Sequence, residues 1–232
     1  EVAGTVRMIT YGWIDIPGLK QWVDLWTIIG EDAYRVYWGD EITSELRNET
    51  WNQAINITIL ENEAVISSLN LSDLIPRMYI RGSEDNTLQP YEWTSSSCDS
   101  FSSSEDASSR GLTSIISIDL TGSSLSFEAD HLRSNWPIIY ASKDTLLLAE
   151  QAADWWWYWG NEDLNEVTNI HAFDISISGQ TTYLSSGRIN GTVNNQFSLS
   201  EYEGTIRVVS TTGQWGRWWL SNPDPMENHV IT

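Results

Sequence analysis

Residues 194–212 read NNQFSLSEYEGTIRVVSTT, and this stretch has the pattern of two short strands joined by a tight turn. Phe197 and Leu199, and then Ile206 and Val208, alternate with polar neighbours, which is the two-residue period of half-buried strands. Gly204 lies between the two runs, where a turn favours a residue that readily takes a positive φ. Because a hairpin of this length cannot bury its apolar face alone, it needs further strands to pack against.

The same pattern recurs along the chain. Segments that begin at Gly4, Asp144 and Gly204 each continue with a Thr, a run of strand-type residues and a loop that contains Trp. In the same way, TSIISIDL from Thr113 aligns with TNIHAFDI from Thr168. Repeated units of several short strands are typical of propeller blades, so the predicted fold class is all-β.

The repeats predict one complete four-stranded blade flanked by two partial ones. Strands of the complete blade are expected at 138–141, 145–150, 168–175 and 181–188. The blade before it has strands at 5–10, 113–120 and 125–128, and the blade after it has strands at 193–199 and 205–211, with the start of a third at 228–232. The predicted organisation is a partial blade at 1–10, an inserted lobe at 11–112, and blades at 113–232, the last of them truncated.

The inserted lobe has a different pattern from the blades. Residues 43–69 contain neither Gly nor Pro, and their apolar side chains recur at the 3.6-residue spacing of a helix. The apolar positions in and beside this segment are Ile42, Leu46, Ile55, Ile59, Val65 and Ile66. Residues 94–110 are rich in Ser and poor in apolar residues, which predicts a linker without regular structure. The insertion is therefore predicted to be largely helical and rich in Trp.

Composition narrows the classes of partner. The 232 residues include 12 Lys and Arg against 32 Asp and Glu, for a net charge of −20. Nucleic acids and anionic membranes are poor partners for such a chain, since both need clustered cationic groups. No run of apolar residues is long enough for a membrane span. The chain starts without Met in strand-like sequence, so we expect a processed product or a part of a longer protein.

Several groups of residues resemble a known family. They are Ser186-Gly187, Gly191, Asn195 to Ser198, Glu201-Tyr202, Gly204 and Arg207-Val208, with Tyr140 to Ser142, Leu148-Ala149, Thr168 to His171 and Phe173-Asp174 in the preceding unit. This set is similar to the core of the secreted β-propeller domain family of bacteria and archaea, which is distantly related to WD repeats. The resemblance implies a propeller fold and export, so we expect a secreted or cell-surface protein. It implies no reaction and no catalytic residues.

Tryptophan-rich loops are the candidate binding sites. The chain has 14 Trp, seven of them in two loops that follow strand-type segments: Trp155, Trp156, Trp157, Trp159, Trp215, Trp218 and Trp219. Exposed aromatic rings offer a large contact area at a low entropy cost, which suits a protein or polysaccharide partner. The alternative is that these rings pack between blades or against the insertion.

Calcium is the one metal that the sequence offers ligands for. Asn161, Asp163, Asn165 and Glu166 present oxygen atoms at close spacing, as Ca²⁺ requires. The Gly and the terminal acid of an EF-hand are missing, and a solvated acidic loop is the alternative. No other cofactor is predicted.

The sequence favours a non-enzymatic scaffold or binding module. His131, His171 and His229 lack zinc-ligand spacing, and no G-x-S-x-G motif is present. Asp119 and Asp174 recur at matching strand ends, which predicts turn capping. Two alternatives stay open: a secreted hydrolase with its active site on the propeller face, and a structural subunit that self-associates through open strand edges.

Cys98 is the single cysteine, so no internal disulfide can form. Four sequons make Asn48, Asn56, Asn70 and Asn190 candidates for glycosylation.

Overall fold

The computed structural model describes residues 4–13, 15–74, 77–82, 86–91, 100–104, 111–124, 126–152, 166–213, 221–222 and 225–232. The chain divides into two compact units, one made of Glu1–Trp13 with Thr94–Thr232 and the other of Ile14–Trp93. Strands dominate the first unit and helices the second. The predicted all-β class, with propeller blades and a largely helical insertion, is confirmed.

The elements follow one another through the two units. In chain order they are β1 (Thr5–Trp13), α1 (Leu25–Ile29), α2 (Glu31–Tyr37), α3 (Ser44–Ser67), α4 (Leu71–Leu74), β2 (Tyr79–Arg81), β3 (Leu88–Pro90), β4 (Phe101–Ser103), β5 (Gly111–Asp119), β6 (Ser126–Ser134), β7 (Ile138–Ala141), β8 (Thr145–Gln151), β9 (Val167–Asp174), β10 (Thr182–Asn190), β11 (Leu199–Tyr202), β12 (Thr205–Thr212) and β13 (Glu227–Ile231).

The middle sheet is an antiparallel meander in the order β7-β8-β9-β10. Alternate residues of β8 enter two separate hydrophobic clusters. Leu146 and Leu148 pack with Ile115 of the first sheet, while Leu147 and Ala149 pack with Val208 of the third. Both faces of the two central strands, β8 and β9, are therefore buried, which explains why the apolar run in β8 is continuous and does not alternate.

The first sheet has the order β1-β5-β6-β4, in which β4 pairs in parallel with β6. The prediction that residues 94–110 lack regular structure is therefore wrong for Phe101–Ser103. The ring of Phe101 stacks on that of His131 with centroids 4.5 Å apart. This apolar ring and the unpaired edge of β6 together give the short segment a reason to form a strand, despite the serines around it.

Polar side chains join the first sheet to the turn between β9 and β10. One Arg7 guanidinium nitrogen, Nη2, donates to the carbonyls of Ile177 (2.9 Å) and Gln180 (2.6 Å). Thr181 bonds the hydroxyl of Ser117 at 2.6 Å. These bonds and the shared apolar cluster hold the two sheets in one arrangement, which places β9 and β10 beside β4 and β6.

The third sheet contains the hairpin of residues 194–212, and one prediction about it is wrong. The turn is confirmed, because Gly204 has φ +76° and Glu203 has φ +51° between β11 and β12. The strand expected at 193–199 is instead a 3₁₀ turn at Gln196–Ser198, where the Asn195 side chain accepts a hydrogen bond from the backbone N–H of Phe197. Phe197 is 87% exposed and does not reach the core. Local capping by Asn195 prevents the strand from starting before Leu199.

The inserted unit is built on α3. The Thr43 side chain caps this helix by accepting a hydrogen bond from the backbone N–H of Leu46. Its core contains Leu25, Tyr37 and Ala54. The apolar positions expected to face this core do not all do so, since Leu46, Ile59 and Ile66 are exposed, whereas Ala54 and Thr58 are buried. Among the described residues, no helix is both long and apolar enough to cross a bilayer.

Candidate functional site

Three neighbouring strands of the middle sheet bring a histidine, a glutamate and a serine together. His171 on β9 is 1% exposed. Its Nε2 lies 3.2 Å from Oε1 of Glu150 on β8, and its Nδ1 lies 2.6 Å from Oγ of Ser186 on β10. The register places Ser186 directly opposite His171, so the antiparallel pairing itself sets this geometry.

The hydrogen-bond partners assign the proton on the imidazole. Glu150 is fully buried, and its Oε2 accepts a hydrogen bond from the backbone N–H of Asn135 at 2.6 Å. When the carboxyl of Glu150 is ionised it can only accept, which places a proton on Nε2 of His171. In the neutral imidazole of that tautomer, Nδ1 is the acceptor for the hydroxyl proton of Ser186. The hydroxyl of Ser104, 3.4 Å from Nε2, lies beside the same nitrogen.

The serine side of this group opens into a cavity of about 500 Å³. The cavity is lined by residues of both sheets: Ser102, Ser103, Ser104, Leu132, Asn169, His171, Tyr183, Ser186, Gly187 and Arg188. Ser186 is exposed, and Tyr183 is 50% exposed. The hydroxyl of Tyr183 donates to Oγ of Ser186 at 2.9 Å. The serine therefore meets solvent, while the imidazole and the carboxylate behind it are buried.

Among the strands that the structure describes, the group occurs in the middle sheet alone. Alignment of the repeats, consistent with the strand registers, places Thr10, Ile116 and Ala129 of the first sheet at the positions of Glu150, His171 and Ser186. In the third sheet, Ser210 and Ile231 stand at the positions of Glu150 and His171. Because the neighbouring blades fold without these side chains, the blade architecture does not require them.

Asp119 and Asp174, by contrast, do the same work in both sheets. Asp119 accepts from the hydroxyl (2.6 Å) and the backbone N–H (2.8 Å) of Thr121, and Asp174 accepts from the backbone N–H of Ser176 at 2.8 Å. In each case the hydrogen bond from the hydroxyl of Thr121 or Ser176 lowers the pKa of the carboxyl most, and the hydrogen bond from the backbone N–H of the same residue lowers it further. The prediction of turn capping is confirmed, and these residues belong to the fold.

A second polar group, formed by Asp130 and His131 of β6, belongs to the packing of the first sheet. His131 is 2% exposed, its Nδ1 lies 2.8 Å from the hydroxyl of Ser114, and burial lowers its pKa to about 4. Burial, with a smaller contribution from the charge of Glu128, raises the pKa of Asp130 to about 6. His131 is thus neutral near pH 7 and packed beneath Phe101.

Exposed tryptophans form the other notable surface feature. Every tryptophan that the structure describes is at least 40% exposed: Trp13 63%, Trp22 74%, Trp26 47%, Trp38 62%, Trp51 40% and Trp136 77%. Within the strand-rich unit, Tyr11 contacts the rings of Trp136 and Trp13, with centroids 5.1 and 6.2 Å apart. Within the helical unit, Tyr34 contacts Trp26 and Trp38 at 5.0 and 6.2 Å.

Most of the predicted site residues are not placed by the structure. The seven loop tryptophans and the calcium candidates Asn161, Asp163 and Asn165 lie outside the described residues. Glu166 is described, and no cluster of three or more His, Cys, Asp or Glu suitable for a metal occurs in the described part of the chain. The calcium site stays a prediction. The four sequon asparagines, Asn48, Asn56, Asn70 and Asn190, are all exposed.

The group around His171 was not predicted, because its members share no motif spacing. They come from three strands and meet only through the register. One signal was nevertheless present in the repeats. Where TSIISIDL has Ile116, TNIHAFDI has His171, and a polar residue at an apolar strand position needs a partner.

The geometry on its own defines a class of protein: sheets of antiparallel strands, repeated along the chain and stacked face to face through apolar clusters, are the blades of a β-propeller. A family model described as "Beta propeller domain" matches residues 26–232, and the chain therefore belongs to the β-propeller domain family. The match includes most of the inserted unit. No curated protein and no solved structure matched the chain.

Proposed function

We propose that this chain is a secreted or cell-surface β-propeller that acts as a scaffold or binding module for a glycan or another protein. The observation that supports this proposal is the exposure of every described tryptophan, from 40% to 77%. Burying a large aromatic side chain stabilises a fold considerably, so a chain that leaves so many of them in water has another use for them. Binding of this kind needs no catalytic group.

Two aromatic groups are suited to the role, one in each unit. Trp13 ends β1, Trp136 follows β6, and Tyr11 contacts both, so three rings lie within reach of one ligand. Trp26, Tyr34 and Trp38 form a comparable group along α1 and α2. With a net charge of −20, the chain repels acidic ligands, so neutral or basic ligands are favoured.

Binding to a panel of neutral and basic polysaccharides, followed by tryptophan fluorescence and calorimetry, tests the proposal. We expect Trp13→Ala combined with Trp136→Ala to weaken binding at least about tenfold, because aromatic anchors dominate such interfaces. Phe197→Ala is the control, since Phe197 is an exposed aromatic residue in the 3₁₀ turn before β11, outside this group. Equal affinity of the double variant and the unaltered protein for each ligand bound would contradict a role for this group.

A protein partner is the other outcome of the same proposal. If no polysaccharide binds, cross-linking on the source cell surface should capture a partner whose yield falls in the double variant but not in Phe197→Ala. A yield that is the same in all three proteins would rule out these rings as the contact.

A secreted hydrolase is the second candidate function, and one observation favours it. A buried histidine, hydrogen-bonded to a buried glutamate and to an exposed serine, borders a cavity between two sheets. Release of products from the same polysaccharide panel tests this candidate separately from binding. A variant that binds but does not hydrolyse would separate the two functions.

A further inference from the structure

We propose that Ser186 is a nucleophile for acyl transfer, with His171 as its general base and Glu150 as a positioning residue. The substrate class is a short-chain carboxylic ester of a polar alcohol. The inference rests on the hydrolase candidate and specifies it, and it does not depend on the tryptophan surfaces.

The distances fit the roles. A nucleophile and its base must lie within about 2.6–3.2 Å of each other, and the base must be oriented by a third group. Ser186 Oγ is 2.6 Å from Nδ1 of His171, and Nε2 of the same ring is 3.2 Å from Glu150. The ring nitrogens are used in the opposite sense to the common arrangement, but such groups are defined by geometry and roles. Glu150 and His171 are both buried, and the hydrogen bond to Glu150 at Nε2 directs Nδ1 to the serine.

The reaction balances without a further reagent except water. Ser186 Oγ attacks the ester carbonyl carbon while its proton passes to Nδ1, which gives a tetrahedral intermediate and an imidazolium opposite Glu150. The bond to the alcohol oxygen then breaks, and that oxygen takes the proton from Nδ1. Water, deprotonated by Nδ1, attacks the acyl-serine and releases the acid, and the proton returns to Ser186.

The cavity suggests the substrate class. Besides Ser186, three serines, Asn169 and Arg188 supply polar groups to its lining, while Leu132 and Tyr183 supply apolar ones. A volume of about 500 Å³ admits a short acyl chain together with part of a polar alcohol such as a sugar. The hydroxyl of Tyr183, 2.9 Å from Ser186 Oγ, is close enough to donate to the oxyanion that forms beside this oxygen.

Labelling with a fluorophosphonate tests the nucleophile, because the serine oxygen displaces fluoride from phosphorus and stays covalently bound. We expect label on the Ser186 peptide by mass spectrometry, none in Ser186→Ala, and a rate at least about 100-fold lower in His171→Gln. Ser185→Ala is the matched control, since Ser185 is the adjacent exposed residue and its register partner is Ala172. We expect it to label at the unaltered rate.

Rescue distinguishes positioning by Glu150 from simple support of the fold. Glu150→Gln should lower the labelling rate at least about tenfold, and Glu150→Asp should recover part of it, both with unfolding curves recorded alongside. Ser186 and its neighbours are exposed, so Ser186→Ala should fold and carry the test if a Glu150 variant does not.

Absence of label on Ser186 in the folded protein, or equal labelling of Ser186→Ala, would overturn the proposal. Hydrolysis of 4-nitrophenyl acetate that is lost in Ser186→Ala would support it. If polysaccharide release survives in Ser186→Ala, the hydrolase candidate stands without this nucleophile.

Discussion

The first and middle sheets are built from similar sequence repeats, but aligned residues of the two sheets differ in burial. At aligned positions, Met8 of β1 is 46% exposed, whereas Leu148 of β8 is fully buried. The middle sheet lies between two others, so both faces of its central strand β8 are covered, while β1 is the edge strand of the first sheet in the described part of the chain. Residues that recur, such as Asp119 and Asp174, build the blade. Residues that occur in one blade only are candidates for function.

The largest expected effect on stability tests the difference in burial between the two sheets. Leu148→Ala removes a side chain from the cluster between the first and middle sheets and should lower the free energy of unfolding by about 2–5 kcal/mol. Met8→Ala changes the aligned position at an exposed edge and should cost less than about 1 kcal/mol. Urea unfolding followed by circular dichroism measures both. Similar losses in the two variants would mean that the sheets are equally covered.

The next effect concerns the polar group around His171, which no other sheet has within the described residues. Glu150→Ala leaves the backbone N–H of Asn135 and Nε2 of His171 buried without the carboxylate, and should cost about 1–3 kcal/mol. Thr10→Ala alters the aligned, exposed residue of β1 and should stay within about 0.5 kcal/mol. Thermal and urea unfolding check the pair. A cost of Glu150→Ala as small as that of Thr10→Ala would mean that these hydrogen bonds do not stabilise the sheet.

The strands of the middle sheet could be predicted from the sequence because period-2 patterns and repeats are local. Ile138–Ala141 is found as predicted, and the other three strands end within two residues of the predicted limits. Predictions failed where a single contact decides the outcome. Asn195 caps a 3₁₀ turn that leaves Phe197 exposed. The segment around Phe101 pairs with the edge of β6, where its ring stacks on His131, and the sequence does not predict this pairing. The group at His171 depends on register across three strands, which single-sequence patterns do not fix.

A third, smaller effect tests whether the half-buried Asp130 destabilises the first sheet when it is ionised. Asp130 aligns with Gly187, so the middle sheet has no counterpart. Burial, followed by the charge of Glu128, raises its pKa from 3.8 to about 6. A raised folded pKa means that the stability contributed by the protonated acid is present below pH 3.8 and is lost as the pH rises through 6.

The stability of Asp130→Asn relative to the unaltered protein should therefore increase between pH 4 and pH 6. A shift of this size corresponds in full to about 3 kcal/mol, and solvent screening of this half-buried group reduces it to about 1 kcal/mol. Urea unfolding at a series of pH values measures the difference. His131 is present in both proteins, so its own loss of stability on acidification, caused by a lowered pKa, cancels. A difference that is constant with pH would show that Asp130 is not destabilised by burial.

The smallest effect should be shared by the two sheets. Hydrogen bonds from Thr121 and from Ser176 lower the pKa of Asp119 and Asp174, so the stability they give is present above pH 3.8 and is lost as the pH falls through the folded pKa. Asp119→Ala and Asp174→Ala should each lower the urea midpoint slightly at pH 7, and the deficit should vanish in acid because the unaltered carboxyls are then protonated too.

Asp144→Ala, a change at an exposed aspartate in the turn between β7 and β8, is the control and should leave the midpoint unchanged at either pH. Because Asp119 also accepts from the hydroxyl of Ser178 at 3.2 Å, its variant should show the larger deficit of the two. A deficit in only one of the two sheets would mean that Asp119 and Asp174 do not have the same role in their turns, although they occupy matching positions in the repeat. Equal retention of both deficits at low pH would assign them to lost packing and not to the carboxylate hydrogen bonds.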